Sequence, residues 1–565
     1  MQTIDRRRFL SVVPALGFGS TLFPGVLWAQ IQQGTRTIGV DMIRESARLA
    51  GLDMTDEEAR DLATALSSMS KHAEQIDKAT LTNASPLPLH FDPRPPGMEL
   101  PPLPPAAFRI EPAPAVRLPA RLETVAFWPL THLAHLLRTR AVTSTALTTM
   151  YLERLKRYNP QLNCVASLTE ERALREAAAA DKEIAAGRYR GTLHGIPYGV
   201  KDIIAASGYP TRWGAKPLAD QTFDRDATVV ERLRDAGAVL VAKLTTGELA
   251  FGDQWAGGRT NNPWNLAQGS SGSSAGSAAA AAAGLVAFAI GSDTGGSILS
   301  PAVRCGIVGL RPTFGRVSRD GVMTAGSTLD KIGPMCRHAQ DCMIVLRAIA
   351  GPDARDRAVP DGKPVAWDAT RGRFPRRVGY VPALLDAETN AERRANDERA
   401  LAALKQLGCT LVPLDAFPSG DLSYYIEYTE RSAAFDSLIA GGLHKGVSPR
   451  TGRFLRAGQL VTAVDYLQAN RRRASIMQDV ARRLRDVDAV MFTTLTLDSR
   501  TSLNPVMSLT GHPSVAVPNG FAPNGSPAGV MFSGQLYREG DLMALAKAFQ
   551  DQNRQYEKLP PLFVV

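Results

Sequence analysis

Apolar and polar positions along the chain follow two different periods. Residues 130–187 repeat apolar side chains at helical spacing and are rich in alanine, leucine and arginine, which predicts helix. Short apolar runs follow, such as "GVKDII" (199–204) and "AVLVAKL" (238–244), with the helical segment "ATVVERLRDAGA" (227–238) between them. Strands that alternate with helices predict an α/β fold, in which helices cover both faces of a sheet.

The first 29 residues have the pattern of an export signal. Arg6 and Arg7 precede an apolar run from Phe9, and small or neutral residues lead to Ala29. This pattern resembles the twin-arginine signal of bacteria and predicts cleavage near Ala29, contact with the export machinery and a periplasmic or secreted location. An ordinary signal peptide and an uncleaved membrane anchor are the alternatives, although Gly17, Gly19, Pro24 and Gly25 disfavour a spanning helix.

Two further segments precede the main body. Residues 30–85 predict a helical extension, in which Thr55 and Glu58 form a capping box. Residues 86–119 are rich in proline and predict an extended strap or linker, which leaves residues 120–565 as one catalytic domain. Ser68 and Lys71 match S-x-x-K, but the chain lacks the K-T-G and S-D-N motifs of a penicillin-binding type of site.

Composition excludes several classes of protein. The 565 residues are 44% apolar and 21% charged, as in globular proteins with a large core. The five scattered cysteines form no CxxC pair, which argues against a disulfide scaffold and a zinc or redox site. The formal charge is +10, but no lysine–arginine block or nucleic-acid motif accompanies it. We therefore expect no nucleic-acid partner, no metal and no other cofactor; a homodimer is an open possibility.

Three stretches carry candidate chemistry. "HGIPYGVKDIIAASGYPT" (194–211) contains Lys201 among apolar residues, "QGSSGSSAGSAAAAAAGL" (268–285) joins a serine-rich loop to an alanine helix, and "GSDTGGSILSP" (291–301) places Ser297 after two glycines. A serine hydroxyl is a weak nucleophile and needs a base. Lysine serves as that base only when neutral, and burial in an apolar environment disfavours its charged form.

The glycines before Ser297 suit a second requirement of acyl transfer. The developing oxyanion needs hydrogen-bond donors, and glycine lets the backbone approach a reacting atom closely. The sequence therefore predicts an oxyanion hole from the backbone N–H groups of Thr294, Gly295, Gly296 and Ser297.

The three stretches together resemble the amidase signature family, which hydrolyses amide C–N bonds with a Ser–cisSer–Lys triad. The resemblance continues through "RCGIVGLRPTFGRVSRDGV" (304–322), "LDKIGPM" (329–335) and "NPVMSLTGHPSVAVPNGF" (504–521), and it covers about residues 131–549. It implies a single large α/β/α domain with a mixed, twisted sheet and a small-molecule amide substrate. It also implies that Lys201 is the base, Ser273 the bridging serine on a cis peptide, and Ser297 the nucleophile.

The resemblance also suggests supporting residues. The unbroken run from Ser277 through the alanines to Leu285 selects Ser273 as the bridging serine, whereas a slip of three would select Ser270. Ser274 is expected to hydrogen-bond within its loop, and Asp202 and Asp293 are expected to orient that loop, with plain loop capping as the alternative. Lys201 could instead be a structural cation paired with Asp202. In "AFGDQWAGG" (250–258), Phe251, Gly252 and Trp255 are expected to line the site mouth, with ordinary loop packing as the alternative.

The chain departs from the family pattern at three positions. Ser271 and Ala275 stand where the family usually has glycine, and Leu299 stands where it often has arginine. The last change raises a question about the local ion-pair network and substrate orientation. Cys305 occupies a family position and is expected to be a small buried hydrophobic residue.

Other functions also fit parts of the sequence. Residues 272–276 match G-x-S-x-G, the nucleophile elbow of α/β-hydrolases, with His338, His444 or His512 as the base, but the segment before it does not resemble a strand. A protein of another class, either a non-catalytic binder or an amidotransferase subunit that delivers ammonia to a partner, could use the same fold.

Overall fold

A computed structural model describes most of the chain after residue 106. The described residues are 40–41, 43–44, 55–57, 59–60, 90–95, 98, 107–359, 364–372, 374, 376–492 and 503–564. The predicted export signal lies outside them, as does most of the predicted helical extension. Within the described residues, no helix has the length and apolar character needed to cross a membrane.

Seventeen strands are described. They are β1 Phe108–Arg109, β2 Val165–Leu168, β3 Pro197–Lys201, β4 Val239–Leu244, β5 Gln254–Trp255, β6 Gly258–Arg259, β7 Asn261–Asn262, β8 Asn265–Gly269, β9 Phe288–Asp293, β10 Val308–Arg311, β11 Lys331–Cys336, β12 Trp367–Asp368, β13 Arg377–Tyr380, β14 Thr410–Pro413, β15 Ala489–Phe492, β16 Ser514–Phe521 and β17 Pro527–Gly534. Eleven of them form one mixed sheet in the order β14-β13-β15-β17-β16-β10-β11-β9-β3-β4-β2, and the rest form two-stranded pairs.

Sixteen α-helices are described. They are α1 Leu130–Arg138, α2 Ser144–Leu162, α3 Glu170–Ala185, α4 Thr228–Asp235, α5 Ala275–Ala282, α6 Leu299–Cys305, α7 Ala339–Ile349, α8 Pro382–Asp386, α9 Ala391–Gln406, α10 Leu422–Ala434, α11 Asp436–Ala440, α12 Leu443–Gly446, α13 Pro449–Ala457, α14 Ala463–Arg483, α15 Leu503–Leu509 and α16 Glu539–Asn553. The α/β prediction is confirmed by this large mixed sheet with helices packed against it.

The predicted helical stretch of residues 130–187 is interrupted. It forms α1, α2 and α3, with the strand β2 between α2 and α3. Asn163 ends α2 in the left-handed conformation, and its neighbours then pair with β4 at the edge of the sheet. Helical periodicity did not reveal this strand because only its pairing with β4 makes the extended conformation favourable.

Strand order brings the chemistry-bearing segments together. β3 pairs in parallel with β9, so Val200 lies beside Ile290 and both strands end at the same edge of the sheet. Lys201 closes β3, while Asp293 closes β9 and leads into the loop that carries Ser297. The alanine helix α5, whose eight residues are all buried, packs against β9, β3 and β4. Small side chains allow this close approach of a helix to the sheet.

The described part of the proline-rich segment lies against the body. Phe91 packs edge-on against Phe314 with ring centroids 5.1 Å apart, and the guanidinium of Arg473 lies 3.4 Å from the centre of the Phe91 ring. Among residues 90–95, 98 and 107–119 there is no helix, and β1 pairs with β12. Cation–π contact and apolar burial therefore hold this segment to the domain.

Candidate active site

Lys201 is enclosed by the core but keeps two polar neighbours. Its Nζ lies 2.7 Å from Ser273 Oγ and 2.8 Å from Ser292 Oγ, and the side chain is fully buried. Burial lowers the pKa of Lys201 from 10.5 to about 7, and the carboxylates of Asp293 and Asp330 offset part of that effect. A substantial fraction of Lys201 is therefore neutral at physiological pH and able to accept a proton.

Ser273 lies at the turn that leads into α5. The Gly272–Ser273 peptide bond is cis, and the Ser273 side chain is buried. The Gly247 N–H donates to the Ser273 carbonyl at 3.3 Å, and a Cβ on Gly272 would overlap the Gly252 carbonyl oxygen. This close backbone contact places Ser273 beside Lys201. Ser270, the alternative bridging serine, directs its hydroxyl to the Ser271 carbonyl.

Ser297 lies in the loop that follows β9. It is partly exposed, and its carbonyl accepts a 3.1 Å hydrogen bond from the Ser274 N–H, which ties the two serine loops together. Ser297 Oγ has no hydrogen-bond partner among the described residues. The hydroxyl is therefore available at the site mouth, and bonds of catalytic groups commonly tighten only when substrate is bound.

Asp293 shapes the loop that carries Ser297. Its carboxylate accepts backbone N–H bonds from Gly296 at 2.7 Å and Ile298 at 2.8 Å. Burial opposes the charge of this carboxylate, but Arg311, 3.2 Å away, and the two N–H donors together hold the pKa of Asp293 below its usual range. Asp293 therefore holds the loop that carries Ser297 rather than the serine-rich loop, which the sequence analysis predicted it to orient.

The oxyanion prediction needs one correction. The Gly296 N–H is committed to Asp293, so it is not free to stabilise an oxyanion. The N–H groups of Thr294, Gly295 and Ser297 have no acceptor in the described part of the chain. The Thr294 hydroxyl donates to Asp330 at 2.6 Å, which fixes the start of this loop. Three of the four predicted donors are therefore unpaired in the described part of the chain and remain candidates for binding an oxyanion.

Two other supporting residues have partners that the sequence did not predict. Asp202 forms an ion pair with Lys243 at 3.0 Å and accepts from the Arg212 N–H at 3.0 Å, so it neither orients the serine loop nor pairs with Lys201. Ser274 bonds β9 instead of its own loop: its hydroxyl donates to the Ser292 carbonyl and accepts from the Ser292 N–H.

The three departures from the family pattern are accommodated locally. Ser271 takes the positive φ of 62° that favours glycine, and its hydroxyl bonds Ser300 at 2.8 Å. Ala275 is buried at the start of α5. Leu299 is buried in α6, and the buried cation beside Asp293 is Arg311, which also donates to Asn504 at 2.7 Å. Arg311 therefore supplies the cation that pairs with Asp293, and this ion pair does not require an arginine at position 299.

The three predicted mouth residues divide into two groups. Gly252 touches Gly272 and so adjoins the serine-rich loop, and Phe251, the residue before it, packs against Phe454 with ring centroids 5.1 Å apart. Trp255 lies over Gly257 in its own β5–β6 hairpin, which matches the loop-packing alternative.

The nucleophile-elbow alternative lacks its partners. β8 precedes the serine loop but pairs only with β7, outside the main sheet. His512 bonds Thr510, His444 bonds the Ile439 carbonyl, and neither contact reaches the serine loop. Burial lowers the pKa of both His338 and His512 to about 3. Within the described contacts, no histidine is paired with Ser274.

Several functional neighbours were missed by sequence reasoning. Ser292 binds Lys201, Arg311 binds Asp293, and Asp253 accepts from the Ser271 N–H at 3.1 Å. Ser292 and Arg311 lie inside motifs that resemble the family, and Asp253 lies in the predicted mouth segment 250–258, which were the available signals. Cys305 is buried, and burial raises the pKa of its thiol, in line with a small apolar role. No group of three or more potential metal ligands occurs among the described residues.

Comparisons with known proteins show the family of this chain. The amidase family model matches residues 146–543. A glutamyl-tRNA(Gln) amidotransferase subunit of Thermosynechococcus vestitus is 34% identical over 74% of this chain and 96% of its own. AmiD of Mycobacterium bovis, which carries the name of an amidase, is 34% identical over 79% of this chain and 98% of its own. The solved peptide amidase of Stenotrophomonas maltophilia superposes with a TM-score of 0.70 at 30% identity, covering 78% of this chain and 100% of that chain.

Proposed function

This chain belongs to the amidase family and is an amide-hydrolysing enzyme, and from that premise we propose that Ser297, Ser273 and Lys201 carry the reaction. The observation that carries the proposal is the 2.7 Å hydrogen bond between the Lys201 amine and Ser273 Oγ, because burial leaves that amine partly neutral. The substrate is a small-molecule amide, and esters with the same acyl group are also candidates because acyl transfer to serine is common to both.

The reaction begins with two proton shifts. Lys201 accepts the proton of Ser273 as Ser273 accepts that of Ser297, and Ser297 Oγ then forms a bond with the amide carbonyl carbon. The N–H groups of Thr294, Gly295 and Ser297 stabilise the oxyanion. The C–N bond breaks while the leaving nitrogen receives the proton back through Ser273. Water, activated by the same pair, then attacks the acyl-enzyme and releases the acid and free Ser297.

An amidotransferase-type role is the second candidate. The similarity to a glutamyl-tRNA(Gln) amidotransferase subunit over 96% of that protein supports it. The same serine and lysine would then release ammonia to a partner chain. Turnover separates the two: an amidase hydrolyses amides as a purified single chain, whereas a delivering subunit depends on its partner.

We further propose that the enzyme works outside the cytoplasm. The support is the Arg6–Arg7 pair, the apolar run and the small residues that end at Ala29. Charged transfer RNA is cytoplasmic, so an exported chain is better suited to a free amidase than to an amidotransferase complex.

The assignment of the nucleophile is tested with Ser297→Ala. Removing one partly exposed hydroxyl should leave the fold unchanged and reduce amide and ester hydrolysis by at least about 10³-fold, as expected for loss of a covalent nucleophile. Purified wild type and variant are compared by ammonia release from primary amides, by acid release from esters and by thermal unfolding. Near-native turnover by the alanine variant would refute the triad assignment, whereas an inactive wild-type single chain would favour the amidotransferase role.

A further inference from the structure

A buried carboxylate faces the nucleophile loop without taking part in the proposed reaction. Glu427 lies on α10, and its side chain is 9% exposed. One oxygen accepts a hydrogen bond from the Arg431 guanidinium one turn later. The other, Oε2, has no partner among the described residues, and a methyl group placed on Gly295 would lie 3.8 Å from it. Oε2 therefore points toward the oxyanion loop.

The neighbouring carboxylates differ in this respect. Asp330 accepts from Thr294 Oγ1 with one oxygen and from the Ala325 and Gly326 N–H groups with the other. Glu430 binds the Thr328 N–H with one oxygen and the hydroxyls of Thr328 and Tyr466 with the other. Those two carboxylates hold loops in place. Glu427 alone of the three keeps an oxygen free among the described contacts, and that oxygen is not one of the fully enclosed polar atoms, so a ligand or water can reach it.

Arg431 keeps the charge of Glu427 compatible with catalysis. Its guanidinium also donates to the Leu249 carbonyl and lies 4.1 Å from the centre of the Phe251 ring. An unpaired carboxylate beside an oxyanion hole would repel the developing charge, whereas a paired one is nearly neutral at a distance. The pairing with Arg431 therefore reduces the repulsion between Glu427 and a developing oxyanion and leaves Oε2 able to accept a hydrogen bond.

Aromatic rings lie beside the same carboxylate. Phe251 packs against Phe454, and Tyr428, the residue after Glu427, stacks on Phe454 with ring centroids 4.9 Å apart. All three are partly exposed. Gly252, next to Phe251, touches the serine-rich loop at Gly272. The aromatic side chains and the free oxygen of Glu427 therefore lie together at the edge of the loop that carries Ser297. Small-molecule subsites usually combine an apolar wall with a few polar groups in this way.

We propose that Glu427 and the wall formed by Phe251, Tyr428 and Phe454 select carboxamides that carry an N–H donor next to the scissile carbonyl and an aromatic or large apolar side chain. This inference rests on the proposed amidase function, since the carbonyl must lie in the oxyanion hole beside Gly295. With the carbonyl there, a nitrogen on the adjacent carbon comes within reach of Glu427 Oε2 and donates to it, while the side chain packs on the rings.

The test compares two substrates that differ by one group. L-Phenylalaninamide carries an amine next to the scissile carbonyl, and 3-phenylpropanamide has the same skeleton without it. For the wild type we expect kcat/KM to be about tenfold or more higher for phenylalaninamide, because only this substrate can donate a hydrogen bond to Glu427 Oε2.

The variant Glu427→Gln removes the acceptor with little change in shape. Its carbonyl oxygen remains the acceptor for Arg431, so its NH₂ group occupies the position of Oε2 and presents a donor. We expect kcat/KM for phenylalaninamide to fall about tenfold or more and that for 3-phenylpropanamide to change by less than about threefold. Asp436→Asn, an exposed carboxylate two residues beyond α10, is the matched control and should keep the wild-type preference.

The outcomes separate this inference from the proposed function. If wild type hydrolyses 3-phenylpropanamide but does not prefer phenylalaninamide, or if Glu427→Gln keeps the preference, the subsite is wrong and the amidase proposal stands. If wild type hydrolyses no amide, the proposed function itself fails. The comparison of the two substrates on the wild type needs no variant. If Glu427→Gln does not fold, Glu427→Asp is used in its place, because it shortens the side chain and should also weaken the preference for phenylalaninamide.

Discussion

Lys201 shows how a side chain acquires a role through its surroundings. In water a lysine amine has a pKa near 10.4 and is almost wholly charged at pH 7. Here apolar neighbours disfavour the charge, and the pKa falls to about 7 although Asp293 and Asp330 favour the ammonium form. Two serine hydroxyls, of Ser273 and Ser292, are its hydrogen-bond partners. The amine is therefore partly neutral near pH 7, as the proposed base must be.

The first prediction concerns the pH dependence of the rate. Lys201 is protonated below its pKa and cannot then accept a proton, so activity is lost as pH falls through about 7. The logarithm of kcat/KM should rise with a slope of about one below that value and level off above it. The measurement is a pH–rate profile of the wild type on a substrate that does not titrate in this range.

Two variants at the same position separate a base from a structural cation. Lys201→Ala should lose at least about 10³-fold in kcat/KM together with the acid limb, and Lys201→Arg should be equally inactive because arginine stays charged. An active arginine variant with an unchanged acid limb would show that Lys201 is not the base. Both substitutions fall in the core, so thermal unfolding of each variant accompanies the kinetics.

At the scale of elements, the site is built where three loops meet at one edge of the sheet. The loop after β9 carries Ser297, the proposed nucleophile, the serine-rich loop carries Ser273, and residues 247–252 pack behind that loop. Glycine at position 272 is required because the Gly252 backbone lies against it and cannot move aside like a flexible side chain.

Gly272→Ala tests this contact. The added methyl group would overlap the Gly252 carbonyl oxygen, so we expect a loss of about 1–3 kcal/mol in the free energy of unfolding and at least about a tenfold loss of kcat/KM. Gly441→Ala is the control. Gly441 lies on an exposed turn, and a Cβ there would be 3.4 Å from its nearest neighbour, which is an ordinary van der Waals distance. Equal stability and activity of the two variants would show that the two loops do not depend on this contact.

At the scale of the whole molecule, the proposed reaction requires only groups of the chain itself. Serine, lysine and backbone N–H groups supply the nucleophile, the base and the charge stabilisation. Prolonged dialysis against a chelator should therefore change kcat/KM by less than about twofold. Loss of activity that zinc restores would contradict the proposed mechanism. Residual metal is measured in the same samples, so that an unchanged rate can be attributed to enzyme from which the metal has been removed.

The position of the enzyme in the cell is tested in the full-length chain. Replacing Arg6–Arg7 with Lys–Lys preserves charge but removes the paired guanidinium groups that define the twin-arginine pattern. We expect the variant to remain in the cytoplasm at full length and the wild type to appear outside it in a shorter form. Cell fractionation with detection of the C-terminus gives both readouts, and unchanged export of the variant would refute this type of signal.

The sequence by itself determined the kinds of residue and their order. Apolar runs around Lys201, glycines before Ser297 and a serine-rich loop before an alanine helix were visible because backbone conformation and burial follow local patterns. The same patterns determined the α/β class. They did not reveal β2, whose extended conformation depends on pairing with β4 more than seventy residues later.

Only the tertiary structure decided which groups meet. Ser292 hydrogen-bonds Lys201 although the two lie 91 residues apart in sequence. Asp202 directly follows Lys201 in sequence but forms its ion pair with Lys243. The Gly296 N–H is taken by Asp293, and the free oxygen of Glu427 faces Gly295 from a helix that carries no motif. Hydrogen bonds and ion pairs form between neighbours in space, and their energy depends on burial, so neither the partners nor the pKa values follow from local sequence.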